Sequence, residues 1–414
     1  MRRRVVVTGL GCVTPVGNDV GSTWQALLDG KSGGAPITHF DATHHKVRFA
    51  CEVKGFDPAQ YMDRKEIKRS DLYTQYAVAA ATQAMTDAGF GDGSGYDPLR
   101  TGVVIASGIG GINTFEEQHT VLVTSGPGRI SPFFIPMFIS DIASGVVSMR
   151  YQAKGPNFCT VSACASSGHG IGISFRSIQY GDADIMIAGG AEASVTAMSM
   201  AGFANMQALS TRNDDPARAS RPFDATRDGF VLGEGSGVVI LEELEHARAR
   251  GARIYGEVAG FGMTGDAYHL TGQPENHEGL QRAMRRALED GGISPAELHY
   301  VNAHGTSTPL NDPNEIRAIK AVLGAHASAV NVSSTKSSTG HMLGAAGAVE
   351  TIFSTLAIHH GVIPPTINLQ SPDPECDLDC TANVPVKRPV SAVLNNSSGF
   401  GGHNTSLALT RFRD

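Results

Sequence analysis

Cys164 stands among small residues in Thr160-Val-Ser-Ala-Cys164-Ala-Ser-Ser-Gly-His-Gly170. A short extended run, 158–161, precedes it, and Ile171, Phe175 and Ile178 follow at helical spacing up to Gly181. The cysteine therefore sits where extended chain turns into a helix. Unpaired N–H groups and partial positive charge at a helix start favour thiolate, the nucleophilic form. The same stretch also fits a buried structural cysteine. Three further stretches carry chemistry: Asn302-Ala-His304-Gly-Thr306-Ser-Thr308, Ser334-Thr-Lys336-Ser-Ser-Thr-Gly-His341 and Asn396-Ser-Ser398-Gly-Phe400-Gly-Gly402. Lys336 and His341 are five apart across a glycine turn and can converge. Phe400 is a bulky ring on mobile glycine backbone, which suits a gate. A lone histidine at a strand end is more often structural. A helix-start cysteine with two histidines, however, makes a nucleophile with two acid/base or oxyanion groups.

The elements that position these residues alternate. Strands are expected over 4–8, 101–106, 184–190, 237–241, 254–262, 298–303, 330–333, 390–395 and 405–409. Helices are expected over 22–28, 72–88, 139–151, 275–291 and 344–360, with 127–136 and 210–234 as loops. Asp312-Pro313-x-Glu315 predicts a helix start with Asp312 as N-cap. Alternation of this kind is α/β architecture. The element order is similar before about residue 241 and after 254, so two similar halves are expected, although no identity between them is visible.

Composition narrows the function. A net charge of −7 argues against general nucleic-acid binding. Met1-Arg-Arg-Arg runs straight into Val5-Val-Val-Thr, which is not a signal core, and no apolar run reaches membrane-spanning length. Six irregularly spaced cysteines make no disulfide framework. A soluble, reduced, cytoplasmic protein without membrane or nucleic-acid partners is expected. Gly9-Leu-Gly11 lacks the third glycine and the acidic partner of a dinucleotide site. Cys376-x-x-x-Cys380 is a weak metal signal. Arg64, Lys65, Lys68 and Arg69 form either a solvated helix face or a dock for an acidic partner.

Taken together, Val5-Val-Val-Thr-Gly-Leu-Gly, Ser162-Ala-Cys-Ala, Ser220-Arg-Pro-Phe-Asp, Gly233-Glu-Gly, Asn302-Ala-His-Gly-Thr-Ser-Thr, Gly340-His-Met-Leu-Gly-Ala-Ala-Gly and Gly399-Phe-Gly-Gly are specific. The chain resembles, over essentially its whole length, the elongating (type II) β-ketoacyl-[acyl-carrier-protein] synthases of the thiolase-like superfamily. The resemblance implies a duplicated α/β fold, layered α-β-α-β-α, with halves at 1–250 and 251–414. It implies Cys164 as acyl-carrying nucleophile, backbone N–H groups of Cys164 and Phe400 as oxyanion donors, and His304 and His341 as stabilisers of a malonyl-derived enolate. Lys336 would orient His341, and Glu315 and Glu350 would form an ion network with Lys336. Thr306 and Thr308 would bind pantetheine, and Ile109, Phe134 and Phe203 would line an acyl tunnel. Lys65, Lys68 and Arg69 would dock an acidic acyl carrier protein.

The resemblance also implies no cofactor and no metal. It implies a homodimer, or a heterodimer if the chain is instead the catalytic ketosynthase subunit of a type II polyketide or polyene system. Against the family's common Asn-Ser-Phe-Gly-Phe, Ser398 replaces a ring beside Phe400. Ser338 stands where Met is frequent, Gln207 where many relatives are basic, and Asp141 where Asn is common. Ser338 and Ser398 are expected to widen or polarise the cleft.

Overall fold

The structure, a computed structural model, describes residues 2–413. Ten strands form its main sheet: β1 (Val5–Val13), β2 (Thr101–Ala106), β3 (Asn157–Phe158), β4 (Ile185–Glu192), β5 (Gly235–Glu243), β6 (Gly256–Gly265), β7 (Tyr300–Asn302), β8 (Asn331–Ser333), β9 (Ala392–Gly399) and β10 (His403–Thr410). Their order is β8-β7-β9-β10-β6-β1-β5-β4-β2-β3. β1, β2, β4 and β5 are buried along their whole length, as expected of strands covered on both faces.

The order hides a repeat. From its outer edge, the first half reads β3-β2-β4-β5-β1, paired parallel, parallel, antiparallel, antiparallel. The second half reads β8-β7-β9-β10-β6 with the same pairing. Within the main sheet the halves are joined by the pairing of Val5–Val7 of β1 with Gly256–Val258 of β6. The expected duplicated α/β fold is therefore present.

The helices of the described residues include α1 (Leu72–Asp87), α2 (Ile112–Ser125), α3 (Phe134–Phe138), α4 (Ile142–Tyr151), α5 (Ser166–Tyr180), α6 (Ala197–Asn205), α7 (Glu278–Gly291), α8 (Asn311–Leu323) and α9 (Ala346–His360). α1 and α4 cover the outside of the first half, and α7 and α8 the outside of the second. α5 and α9 lie between the halves and touch strands of both, which completes the layering. Residues 346–358 of α9 are all buried, as a helix apolar on every side must be.

Two expectations are corrected. α2 and α6 were not legible, and α3 begins inside the stretch 127–136 read as loop. α8 begins at Asn311 behind Leu310, so Asp312 is not the N-cap. Its carboxylate instead accepts the Phe223 N–H at 3.0 Å and faces Arg227.

Gly9 and Gly11 share one face of β1, where an added Cβ would lie 2.3 Å from Ala84 O and 2.0 Å from Ala80 O of α1. Gly260 and Gly262 repeat this on β6, at 2.1 Å from Ala287 O and 1.9 Å from Ala283 O of α7. The first glycine pair thus serves strand–helix contact, not a dinucleotide. Because the obstacle is helix backbone, Gly262→Ala is expected to destabilise the fold by about 1–3 kcal/mol or more. A denaturation midpoint equal to wild type would show that the contact is slack.

Candidate active site

Cys164 lies in the single 3₁₀ turn Ala163–Ala165, directly ahead of α5. Ala163 takes left-handed backbone, with φ of 50°. Gly399, at the end of β9, passes so close that a Cβ there would lie 3.1 Å from Cys164 N. That approach sets the backbone of Phe400 beside the turn, and the N–H groups of Phe400 and of Cys164 itself both pull the Cys164 thiol down.

The electrostatics of the thiol reverse the sequence expectation. Burial pushes Cys164 up to about 12, while the Lys336 charge and the two N–H groups pull it down. Desolvation outweighs these attractions, so the resting group is a thiol. Thiolate must form as attack proceeds.

His304 follows β7. Its N–H and that of Gly305 donate to the Glu315 carboxylate of α8 at 2.9 and 2.8 Å, which fixes the turn. His341 is held by its backbone, with its N–H on Val231 O at 2.7 Å and its carbonyl accepting from Gly233 at 2.9 Å. The two imidazoles stand 5.3 Å apart at 86°, and Phe230 packs edge-on against His341. Burial, then the Lys336 charge, holds both histidines well below their ordinary range. Both are neutral at neutral pH, and their Nδ1 atoms are buried without a partner.

Lys336 Nζ donates to Glu350 Oε1 at 2.5 Å, with both side chains 1% exposed. Burial raises Glu350 to about 7 against the pull of Lys336. The expected ion pair of Lys336 with Glu350 is thus present, and Lys336 acts on both histidines through its charge. Glu315, however, makes no ion pair with Lys336; it braces the His304 turn.

A cavity of about 550 Å³ joins Cys164, His304, His341 and Phe400 with Thr306, Thr308, Ile109, Phe203 and Ser398. Thr306 and Thr308 share a hydrogen bond of 3.0 Å. Leu310, 72% exposed, marks the opening, and Leu343, 5% exposed, the interior. Phe134 does not line this cavity; it stacks on Phe138 within α3. Ser338 does not line it either, and its hydroxyl is sealed without a partner. Ser398 does reach it, with Oγ bonded to Asn404 Oδ1 at 2.9 Å. Lys65, Lys68 and Arg69 lie apart, around a second hollow with Arg64 and Phe133. They sit on and just after the short helix Arg64–Ile67, which an Asp63–Glu66 capping box starts.

One important group was missed. Glu192, fully buried at the end of β4, accepts from Gly108, Ile109, Gly344 and the Ser107 hydroxyl at 2.8–3.2 Å. Nothing in the run Ala191-Glu192-Ala193 marks it; only the fold converges these donors.

The arrangement offers a nucleophile with two oxyanion donors, beside two neutral imidazoles that can donate N–H to a second developing anion. Below a thiol pKa, thiolate rises about tenfold per pH unit. Alkylation of Cys164 by a small neutral electrophile is therefore expected to climb continuously from pH 7 to about pH 9. A plateau starting below pH 8 would show that the helix start and Lys336 outweigh burial.

Residues 2–247 match the family described as the β-ketoacyl synthase N-terminal domain, and residues 255–370 its C-terminal domain. The chain is 53% identical over 413 residues to 3-oxoacyl-[acyl-carrier-protein] synthase 2 of Coxiella burnetii, spanning all of both chains. It is 52% identical over 412 residues to the protein of that name in Synechocystis sp., spanning 100% of this chain and 99% of the other. It also superposes over the full length of both chains, with a TM-score of 0.92 and 37% identity, on a type II PKS ketosynthase solved with its acyl-carrier protein and bound to the hexaketide. With both halves of the family matched and its cysteine and two histidines gathered on one cavity, the chain belongs to the β-ketoacyl synthases.

Proposed function

We propose that the protein elongates fatty acyl chains by decarboxylative Claisen condensation, taking both substrates from acyl carrier protein. The observation that carries this reading is one cavity lined by Cys164, His304, His341 and Phe400, with the two imidazoles 5.3 Å apart. The names of the full-length relatives support it.

The Cys164 sulfur attacks the acyl thioester carbonyl. The N–H groups of Cys164 and Phe400 hold the resulting oxyanion. Collapse breaks the carbon–sulfur bond to the carrier, whose thiol leaves with the proton given up by Cys164. The acyl chain lies against Ile109 and Phe203. Malonyl carrier protein enters next, its pantetheine arm along Thr306 and Thr308, with Phe400 gating the route. Loss of CO2 leaves its electron pair on an enolate, whose oxygen takes N–H donation from His304 and His341. Neutral imidazoles suit this step, because they stabilise the anion without protonating it. The enolate carbon attacks the acyl-cysteine carbonyl, the carbon–sulfur bond breaks to expel the Cys164 thiolate, which takes a proton from solvent, and β-ketoacyl carrier protein leaves.

Lys65, Lys68 and Arg69 meet the acidic carrier. The protein acts as a homodimer in the cytoplasm, with Phe134 of α3 serving the neighbouring subunit's tunnel. Among the described residues no helix is long and apolar enough to cross a membrane. The second reading, a polyketide or polyene ketosynthase, is favoured by Ser398 on the cavity wall and by the likeness to the type II PKS ketosynthase.

Mass spectrometry of the enzyme after exposure to saturated, enoyl and polyenoyl carrier thioesters is expected to place the label on Cys164, with saturated chains leading. Polyenoyl chains leading would favour the second reading, and a label persisting in Cys164→Ala would overturn the nucleophile. His304→Ala and His341→Ala are expected to keep acylation but lose about 10²-fold or more in condensation.

Lys65→Glu and Lys68→Glu are expected to raise KM for carrier substrates, with kcat retained and the difference shrinking as salt rises. An unchanged KM at low salt removes this face as the dock.

A further inference from the structure

His277 takes no part in the chemistry above, yet it is placed at evident cost. It is 0% exposed, and it follows Asn276 in left-handed backbone, with φ of 49° and 58°. Two successive non-glycine residues there are strained. Its Nδ1 is buried without a partner. Its Nε2 lies 3.0 Å from Asn404 Oδ1 and 3.3 Å from Ser398 Oγ. Asn404 Nδ2 donates to Asp266 Oδ1 at 2.6 Å, so Oδ1 is the acceptor and His277 carries its proton on Nε2.

Ser398 and Asn404 face each other in the β9–β10 hairpin, one pair before its closing pair Gly399–His403. The tip beyond is Phe400-Gly401-Gly402, with Gly401 and Gly402 at φ of 88° and 75°. Gly402 O accepts from the Asp266 N–H at 2.8 Å and from Asn404 Nδ2 at 3.4 Å. The tip is also held by the Gly401 N–H on Leu270 O at 2.7 Å and the Gly402 N–H on Gly399 O at 3.1 Å. Its side-chain anchor is Asn404 with its partner Asp266, and His277 is the buried group behind Asn404.

We infer that His277 is a positioning residue for acyl transfer: with Ser398 it clamps Asn404, and so holds the hairpin tip that presents the Phe400 N–H to the reacting carbonyl. The clamp needs a small hydroxyl at 398, because a larger side chain would enter the space of the imidazole. The inference rests on Phe400 being an oxyanion donor, as proposed above. It separates the two half-reactions: the tip serves the acyl oxyanion, whereas the enolate is served by His304 and His341, which are held by Glu315, Val231 and Gly233.

The test uses the full chain as wild type, His277→Gly, His277→Gln and Ser398→Ala. Two rates are measured: Cys164 acylation from acyl carrier protein by mass spectrometry, and CO2 release from malonyl carrier protein. His277→Gly removes the clamp and relieves the backbone. Its maximal acylation rate is expected to fall about tenfold or more with KM unchanged, and CO2 release at saturating malonyl carrier protein, where entry past Phe400 is not limiting, to stay within about twofold. His277→Gln, which keeps an N–H donor, is expected to recover acylation to within about threefold, and Ser398→Ala to lose a few-fold in acylation alone. Equal acylation in wild type and His277→Gly overturns the inference. So does a loss of both rates in step with a lower melting midpoint. If His277→Gly does not fold, the Gln and Ala variants decide by the same split between the two rates. Wild-type enzyme that takes no acyl group on Cys164 overturns the site assignment itself, a separate outcome.

Discussion

The buried pair Lys336–Glu350 sets the conditions under which everything else in the site works. Both partners are sealed from water at 2.5 Å, in a place where removing either one would cost roughly 3–5 kcal/mol. The Lys336 charge pulls the Cys164 thiol down and pushes both imidazoles further from protonation. One cation thus favours a negative sulfur and two neutral donors at once. It can do so only because Glu350 sits on α9, a helix buried on every side, where its charge has no other partner.

The duplicated fold supplies the geometry. α5 and α9 are each 15 residues long and each follow a 3₁₀ turn, 163–165 and 343–345. Ala163 and Leu343 hold the same left-handed position in those turns, at φ of 50° and 45°. The two halves thus deliver equivalent turns to one centre. The first turn carries the nucleophile, and the second follows the stretch that bears Lys336 and His341. Glu192 ties the centre together by accepting Gly344 of one half and Gly108 of the other. Backbone strain at these turns is of the kind retained at functional sites.

Much of this was legible in the chain. Glycine turns at strand ends singled out Cys164, His304, His341 and Phe400, and period and capping found most of the central strands and helices. The Gly-x-Gly pairs on β1 and β6 were also visible, but their meaning depends on a helix backbone about 2 Å from where a Cβ would stand. α2 and α6 escaped because their exposed and half-buried residues follow no clear apolar stripe. His277 escaped because a histidine among polar residues at the start of the expected helix 275–291 carries no mark of burial, whereas in the structure it is fully buried beside the β9–β10 hairpin.

Residue types by themselves determined which chemistry was on offer, since a thiol, two imidazoles and an ammonium have few uses together. Local pattern determined the α/β class, because strand and helix periods are written in neighbouring residues. The tertiary structure alone decided the protonation of these groups, since desolvation depends on what covers a side chain. It made Cys164 a thiol, turned Glu315 toward a backbone, and removed Phe134 and Ser338 from the cavity. Those outcomes turn on contacts between residues up to hundreds of positions apart, and no local pattern encodes them.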